Sequence, residues 1–262
     1  MTDPPTLQIR HLSKLFSTKS GPLLVLDDIS MSVKAGEFAC LVGASGCGKS
    51  TLLGIVAGLE DPSAGEVLLS GSPVAGPGAD RGMVFQNYTL YPWLSVRGNV
   101  EFGLKLRKLS AAERRERVDH YLEIVGLAKF ADSLPCALSG GMKQRAAIAR
   151  AMVNEPQILL LDEPFGALDC QTKETLQEFL LSVVRRTAIT VLMITHDVEE
   201  AVFLADRVYA MSARPGHIAR EVPVPLGRER SLGCKRTAAF QQIEQDILDL
   251  LRARQPLAEE TR

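Results

Sequence analysis

The stretch GASGCGKST, residues 43 to 51, constrains this chain more than any other. It follows the apolar run FACLV and precedes LLGIVAG, so it joins an expected buried strand to an expected helix. Gly43, Gly46 and Gly48 carry no Cβ, which lets successive backbone N–H groups turn inward. The helix behind them adds the positive end of its dipole, and together these make an anion cradle. The pattern G-x-x-x-x-G-K-[ST] gives each remaining residue type a task. Lys49 reaches the β- and γ-phosphates of a nucleotide, and Ser50 offers its hydroxyl to Mg2+. The alternative, a glycine-rich turn that matches by chance, does not account for the strand before it and the helix after it.

The rest of the chain supplies the sheet that such a cradle needs. LQIRHL, LDDISMSV, GEVLLSG and MVFQ read as short strands separated by Gly/Pro-rich turns. From Ser95 to about Asn154 the pattern becomes helical. SAAERRERVDHYLEIVGL offers Ser110 as an N-cap with Glu113 three residues on, and Val118, Tyr121, Leu122 and Val125 repeat at helical spacing. After Pro156, QILLLD, KETLQEFLLSVVRR, TVLMIT, VEEAVFLA and RVYAMS alternate strand and helix, which implies parallel strands with crossover helices. FQQIEQDILDLLRA predicts a last helix, about 237–254, with Phe240, Ile243, Ile247, Leu250 and Leu251 on one face. Packing of that face on its own domain is the simpler expectation, against a partner site.

Three further stretches carry chemistry. ILLLDEP sets Asp162 and Glu163 at the end of a buried strand, where open α/β sheets gather their ligands. Asp162 suits a Mg2+ shell and Glu163 suits orienting or deprotonating water; an ordinary acidic strand end is the bland reading. MITHDVEEA places His196 at the end of another strand, and Asp197 with Glu200 predicts a capping box that leaves His196 free for the γ-phosphate. Gln86, ending MVFQ, has an amide fit for Mg2+ and water. The stretch ALSGGMKQRAAIARA holds no carboxylate, histidine or cysteine, yet Ser139, Gly140 and Gly141 stand where a helix should begin, which makes a second anion cradle.

Composition narrows the setting. The 262 residues are 46% hydrophobic, enough for one large α/β domain or a core with a subdomain. A formal net charge of −1 gives no electrostatic footprint for nucleic acid. Apolar runs such as ILLL fall far short of the ~20 residues of a membrane span, and the N-terminus carries no apolar signal segment, so a soluble chain is expected. Five cysteines, at 40, 47, 136, 170 and 234, show no metal spacing and predict free thiols. Cys40 reads as a buried small hydrophobe. Cys47, near a helix N-terminus, is expected to favour the thiolate and to be attacked by alkylating reagents.

Taken together, the glycine loop, Gln86, LSGGMKQ, LLLDEP, the GALD that follows it and His196 resemble the nucleotide-binding subunit of an ABC transporter, from about Leu7 to Arg220. The resemblance implies a P-loop NTPase with a RecA-like core, an antiparallel β subdomain and an α-helical subdomain at about 87–155, all one ABC ATPase domain over 1–262. It implies ATP and Mg2+ as cofactors. ATP is held by Gly43, Ala44, Ser45, Gly46, Cys47, Gly48, Lys49, Ser50 and Thr51, with Phe16 stacked on adenine unless it is core. Mg2+ takes Ser50, Gln86 and Asp162; catalysis takes Glu163, His196 and Gln86. Two chains then pack head to tail, and Ser139, Gly140 and Gly141 serve the partner's ATP. Asp169 sits at the seam and couples the two sites.

The resemblance also implies two integral-membrane permeases and a solute-binding protein as partners, with the chain peripheral on the cytoplasmic face of the inner membrane. NYTLYPWLSVRGNV, with Tyr91 and Trp93, would dock the permease, a local mini-core being its rival. GPGADRGMVFQNYTLYPWLSVRGNVEFGL, DEPFGALDCQTKETLQEFLL and MSARPGHIAREVPVPL look like the importer branch for nitrate, sulfonates and taurine. Cys136 and Cys170 stand where small or polar residues are usual, and the chain ends too soon for a large C-terminal regulatory domain. The alternatives are a soluble ABC ATPase acting on DNA or ribosomes, and a nucleotide-gated scaffold. The first expects paired cassettes, a long coiled coil or basic surfaces; the second tolerates loss of Glu163.

Overall fold

The computed structural model describes residues 6–212, 214–227 and 229–252. The expected last helix reaches 254, and its final two residues lie outside the described residues. In chain order the structure forms β1 (Leu7–Thr18), β2 (Gly21–Val33), β3 (Phe38–Gly43), α1 (Lys49–Ala57), β4 (Ala64–Leu69), β5 (Ser72–Pro73), β6 (Arg81–Val84), α2 (Val96–Glu101), α3 (Ala111–Ile124), α4 (Gly140–Met152), β7 (Ile158–Asp162), α5 (Cys170–Thr187), β8 (Thr190–Thr195), α6 (Val198–Leu204), β9 (Arg207–Met211), β10 (Ile218–Pro223) and α7 (Ala238–Arg252). The chain divides into two compact units: residues 1–76 with 193–262, and residues 77–192. No helix of the described residues is long and apolar enough to cross a membrane.

The first unit contains an antiparallel sheet in the order β2-β1-β4-β5. β1 runs against β2 with Leu7 opposite Val33, and against β4 with Leu7 opposite Leu69. The apolar β3, buried along its whole length, pairs in parallel with β9, and β9 pairs antiparallel with β10. A strand with no polar face reads as a continuous apolar run, as FACLV does. α7 covers its unit through Phe240 and Ile247, both fully buried, which matches the simpler reading of its apolar face; Ile243, Leu250 and Leu251 are half-buried. Arg230 is buried and binds five backbone carbonyls, those of Gly227, Val224, Val202, Phe203 and Ala205. The last three belong to the C-terminal end of α6, whose final carbonyls have no partner within the helix. A guanidinium there satisfies them and complements the helix dipole.

In the second unit β6 and β7 pair in parallel, Val84 opposite Leu161. β6 stops at Val84, two residues before Gln86, so Gln86 belongs to the exposed loop that follows. The capping box of α3 is present as expected: Ser110 Oγ accepts from Glu113 N at 3.2 Å, and Glu113 returns its carboxylate to Ser110 N at 2.7 Å. Val118, Tyr121, Leu122 and Val125 are buried on one face. Asp169 caps α5, accepting from Thr172 N at 3.0 Å, and that bond holds its carboxyl below the usual carboxylate range.

Candidate active site

Within the first unit the glycine loop runs from the end of β3 into α1. Gly46 (φ +75°) and Gly48 (φ +102°) occupy left-handed conformations that side chains rarely adopt. A Cβ on Gly48 would also stand 2.7 Å from Leu26 Cδ2 of β2, adding crowding to a backbone conformation that already strains any side chain. The Lys49 side chain is 5% exposed, and its Nζ donates to the carbonyls of Gly43 (2.8 Å) and Ala44 (3.0 Å). The loop therefore curls around its own ammonium group. With the α1 N-terminus behind it, this makes a short, strongly positive concavity, and a polyphosphate is the ligand that such a cradle complements.

Cys47 differs from expectation. It is 1% exposed, and burial pushes its thiol up, more than the nearby Lys49 charge brings it down. The helix N-terminus is present, but the sulfur points into protein instead of solvent, and desolvation of the thiolate dominates. Cys40 is buried as expected; Cys136 and Cys170 are exposed.

Arg214 is a loop contact that sequence reasoning missed. Its Nε donates to the Gly46 carbonyl at 3.3 Å from the turn between β9 and β10. Gly216 in the same turn backs onto the Cys47 carbonyl so closely that a side chain there would collide. The turn is tied to β2 on both sides: Gly216 N donates to Val25 O and Asp27 N to Gly216 O, each at 2.9 Å. The dipeptide Pro-Gly signals a turn; nothing in linear sequence signals where it lands.

His196 is exposed at the end of β8 and borders, with Gly43 and Ala44 of the loop, a cavity of about 290 Å3 closed by Met211, Ser212 and the end of α7. The cap expected behind it is present: Asp197 is the N-cap of α6, and its Oδ1 accepts from Glu200 N at 3.2 Å. Asp197 N donates to Thr195 Oγ1 (3.1 Å), and that hydroxyl donates to the buried Glu200 carboxylate (2.6 Å). These bonds fix the turn that presents the imidazole. Phe16 is half-buried on β1, with Lys14 Nζ 4.8 Å from its ring centroid.

The second unit carries the remaining expected residues. Asp162 ends β7, half-buried, and Glu163 follows with φ +43°. Left-handed backbone at a non-glycine residue costs about 1 kcal/mol or more and collects at functional positions. Here it turns the chain directly after the strand that ends at Asp162. Glu163 Oε2 and Gln86 Nε2 both lie within 4 Å of the place a Cβ on Gly166 would take, which brings Glu163 and Gln86 to one spot. α4 begins where LSGG predicted. Ser139 is its N-cap, with Oγ accepting from Met142 N at 3.3 Å. The α4 N-terminus faces a cavity of about 310 Å3 whose walls include Ser139, Gly141, Arg145, Thr172 and Thr175.

Residues 26–166 match the family model described as ABC transporter. The chain is 51% identical to the nitrate import ATP-binding protein NrtD of Synechocystis sp. over 95% of this chain and 96% of that relative. It is 42% identical to the taurine import ATP-binding protein TauB of Roseobacter denitrificans, covering 94% and 93%. Among solved structures it resembles a dimeric ATP-binding cassette in a post-hydrolysis state bound to ADP and Pi, with TM-score 0.72 and 32% identity over 83% of this chain and 98% of that one. The family model over residues 26–166 and relatives at 42% and 51% identity over more than nine-tenths of both chains agree: the chain belongs to the ABC transporter family.

Proposed function

We propose that this chain is the ATP-binding and ATP-hydrolysing subunit of an ABC importer, and that the solute is nitrate, an aliphatic sulfonate or a taurine-like solute. The observation that carries the ATPase reading is the Lys49 ammonium held on the Gly43 and Ala44 carbonyls inside a loop with two left-handed glycines. The relatives' names, nitrate import and taurine import, support import of a solute of this kind. The dimeric neighbour supports a homodimer.

Within that reading residues 43–51 hold the phosphates and Phe16 the adenine ring. Ser50, Gln86 and Asp162 fit Mg2+, because hydroxyl, amide and carboxylate are all oxygen donors and Mg2+ takes few protein ligands beside phosphate. Bound there, the ion neutralises charge on the phosphates. Glu163 accepts a proton from water or orients it, and His196 donates a hydrogen bond toward the γ-phosphate. Ser139, Gly140 and Gly141 close on the nucleotide of the partner subunit. Asp169, the cap of α5, couples the two sites. Two permeases anchor the chain peripherally at the cytoplasmic face of the inner membrane, through the loop carrying Tyr91 and Trp93, and a solute-binding protein completes the complex. The exposed Trp93 supports docking, and the Tyr91 ring stands 5.6 Å from Trp93 and 4.6 Å from the partly exposed Phe102 between centroids, an aromatic cluster at the surface of this loop.

The test has two arms. Purified protein should release phosphate from MgATP, and Lys49→Ala should abolish it; no ATP binding by the wild-type chain overturns the reading. Cells relying on this chain should then take up labelled nitrate or taurine, and lose that uptake with Lys49→Ala.

A further inference from the structure

Arg150, in the last turn of α4, makes contacts that the site described above does not use. Nη1 donates to Thr89 O (2.7 Å), and Nη2 to Thr89 Oγ1 (2.8 Å) and Tyr88 O (3.3 Å). The guanidinium also lies 5.6 Å over the Tyr91 ring. Thr89 holds φ +47°, a conformation that needs support of this kind. Beyond it, the fully buried Asn99 receives Tyr91 N at 2.7 Å and donates to the carbonyls of Tyr91, Leu94 and Ser95 at 3.0–3.1 Å. Residues 91–95 are therefore one braced piece, and it displays Trp93, 72% exposed.

The Tyr88 side chain runs the other way. Its hydroxyl lies 3.2 Å from the position a Cβ on Gly140 would take, at the first turn of the same helix. Tyr88 thus has its hydroxyl beside Gly140 in the first turn of α4 and its carbonyl held by the guanidinium of Arg150, ten positions further along the helix.

We propose that Tyr88, anchored by Arg150, is a positioning residue for the Ser139-Gly140-Gly141 turn, and that the pair links the state of that turn to the loop displaying Trp93. The link rests on the reading that ATP engages this turn. A change at Gly140 moves the Tyr88 hydroxyl; the 88–89 main chain, pinned by Arg150, passes the change to Tyr91; the Asn99 brace carries it to Trp93.

Trp93 is the only tryptophan of the chain, so the reporter is built in. The parent is Glu163→Gln, expected to bind ATP while hydrolysing it slowly. With MgATP the parent should change its Trp93 emission and acrylamide quenching and should associate. Tyr88→Ala and Arg150→Met should each keep ATP affinity within about twofold, lose the Trp93 response and weaken ATP-driven association roughly tenfold. The double variant should lose no more than either single one, because the two act through one connection. Tyr88→Phe and Arg150→Lys, which keep ring or charge but remove the hydroxyl or the forked donor, should reduce the response if the larger truncations fail to fold. ATP binding by the parent without any Trp93 response overturns this link alone, as does a full response in the variants or additive losses in the double variant. Failure of the parent to bind ATP overturns the nucleotide reading, and the link with it.

Discussion

Arg214 Nε donates to the Gly46 carbonyl at 3.3 Å across a sequence separation of 168 residues. A carbonyl turned outward to a guanidinium leaves the loop's N–H groups free to face inward, so Arg214 biases the cradle toward its anion-binding form. Such a preference strengthens ground state and transition state alike. Arg214→Ala should therefore raise the KM for ATP by roughly fivefold, one hydrogen bond's worth, with kcat little changed. Steady-state phosphate release over an ATP series checks this, and a fall in kcat at constant KM would assign Arg214 to the chemical step instead.

Glu163→Gln preserves shape and hydrogen bonding while removing basicity. Turnover should fall by roughly two to four orders of magnitude with ATP still bound, and ATP-bound dimers should accumulate on gel filtration. Near-normal turnover in the purified variant removes Glu163 from the mechanism.

Burial raises the Cys47 thiol above its ordinary range, so at any given pH less of it is thiolate than of an exposed cysteine. Maleimide at pH 7 should label the exposed Cys136 and Cys170 first, with Cys47 at least about tenfold slower. Its labelling should accelerate only as pH climbs past the usual thiol range. Peptide mass spectrometry across a pH series resolves the three sites, and early labelling of Cys47 would mean the loop opens readily.

Ser139→Arg should obstruct the cradle lent to a partner's nucleotide, and Lys49→Ala should disable the chain's own loop. Each homodimer then has two broken sites, whereas mixed subunits contain one with both parts intact. ATP-dependent association, seen by crosslinking co-expressed chains, should return on mixing. Verified heterodimers that never associate with ATP would count against head-to-tail sharing.

What the sequence revealed of this molecule was local. The Ser110–Glu113 box, the Ser139 cap and the glycine loop each lie within a few residues, where spacing alone dictates geometry. Contacts between distant segments left no such trace. Arg214 on Gly46, Tyr88 on Gly140 and the closeness of Gly216 to Cys47 depend on how strands and helices are stacked. The one misreading has the same origin: the helix N-terminus beside Cys47 predicts a thiolate, whereas the sulfur faces protein and burial decides.

The buried Arg230 beneath α6 has a mechanical consequence. Its guanidinium grips the carbonyls of Val202, Phe203 and Ala205, so one end of a helix of only seven residues is fixed. His196 lies two residues before the opposite end. Sliding α6 along its axis would break bonds to Arg230, so the grip holds the helix in register with the turn that carries His196, about 10 Å away at its other end.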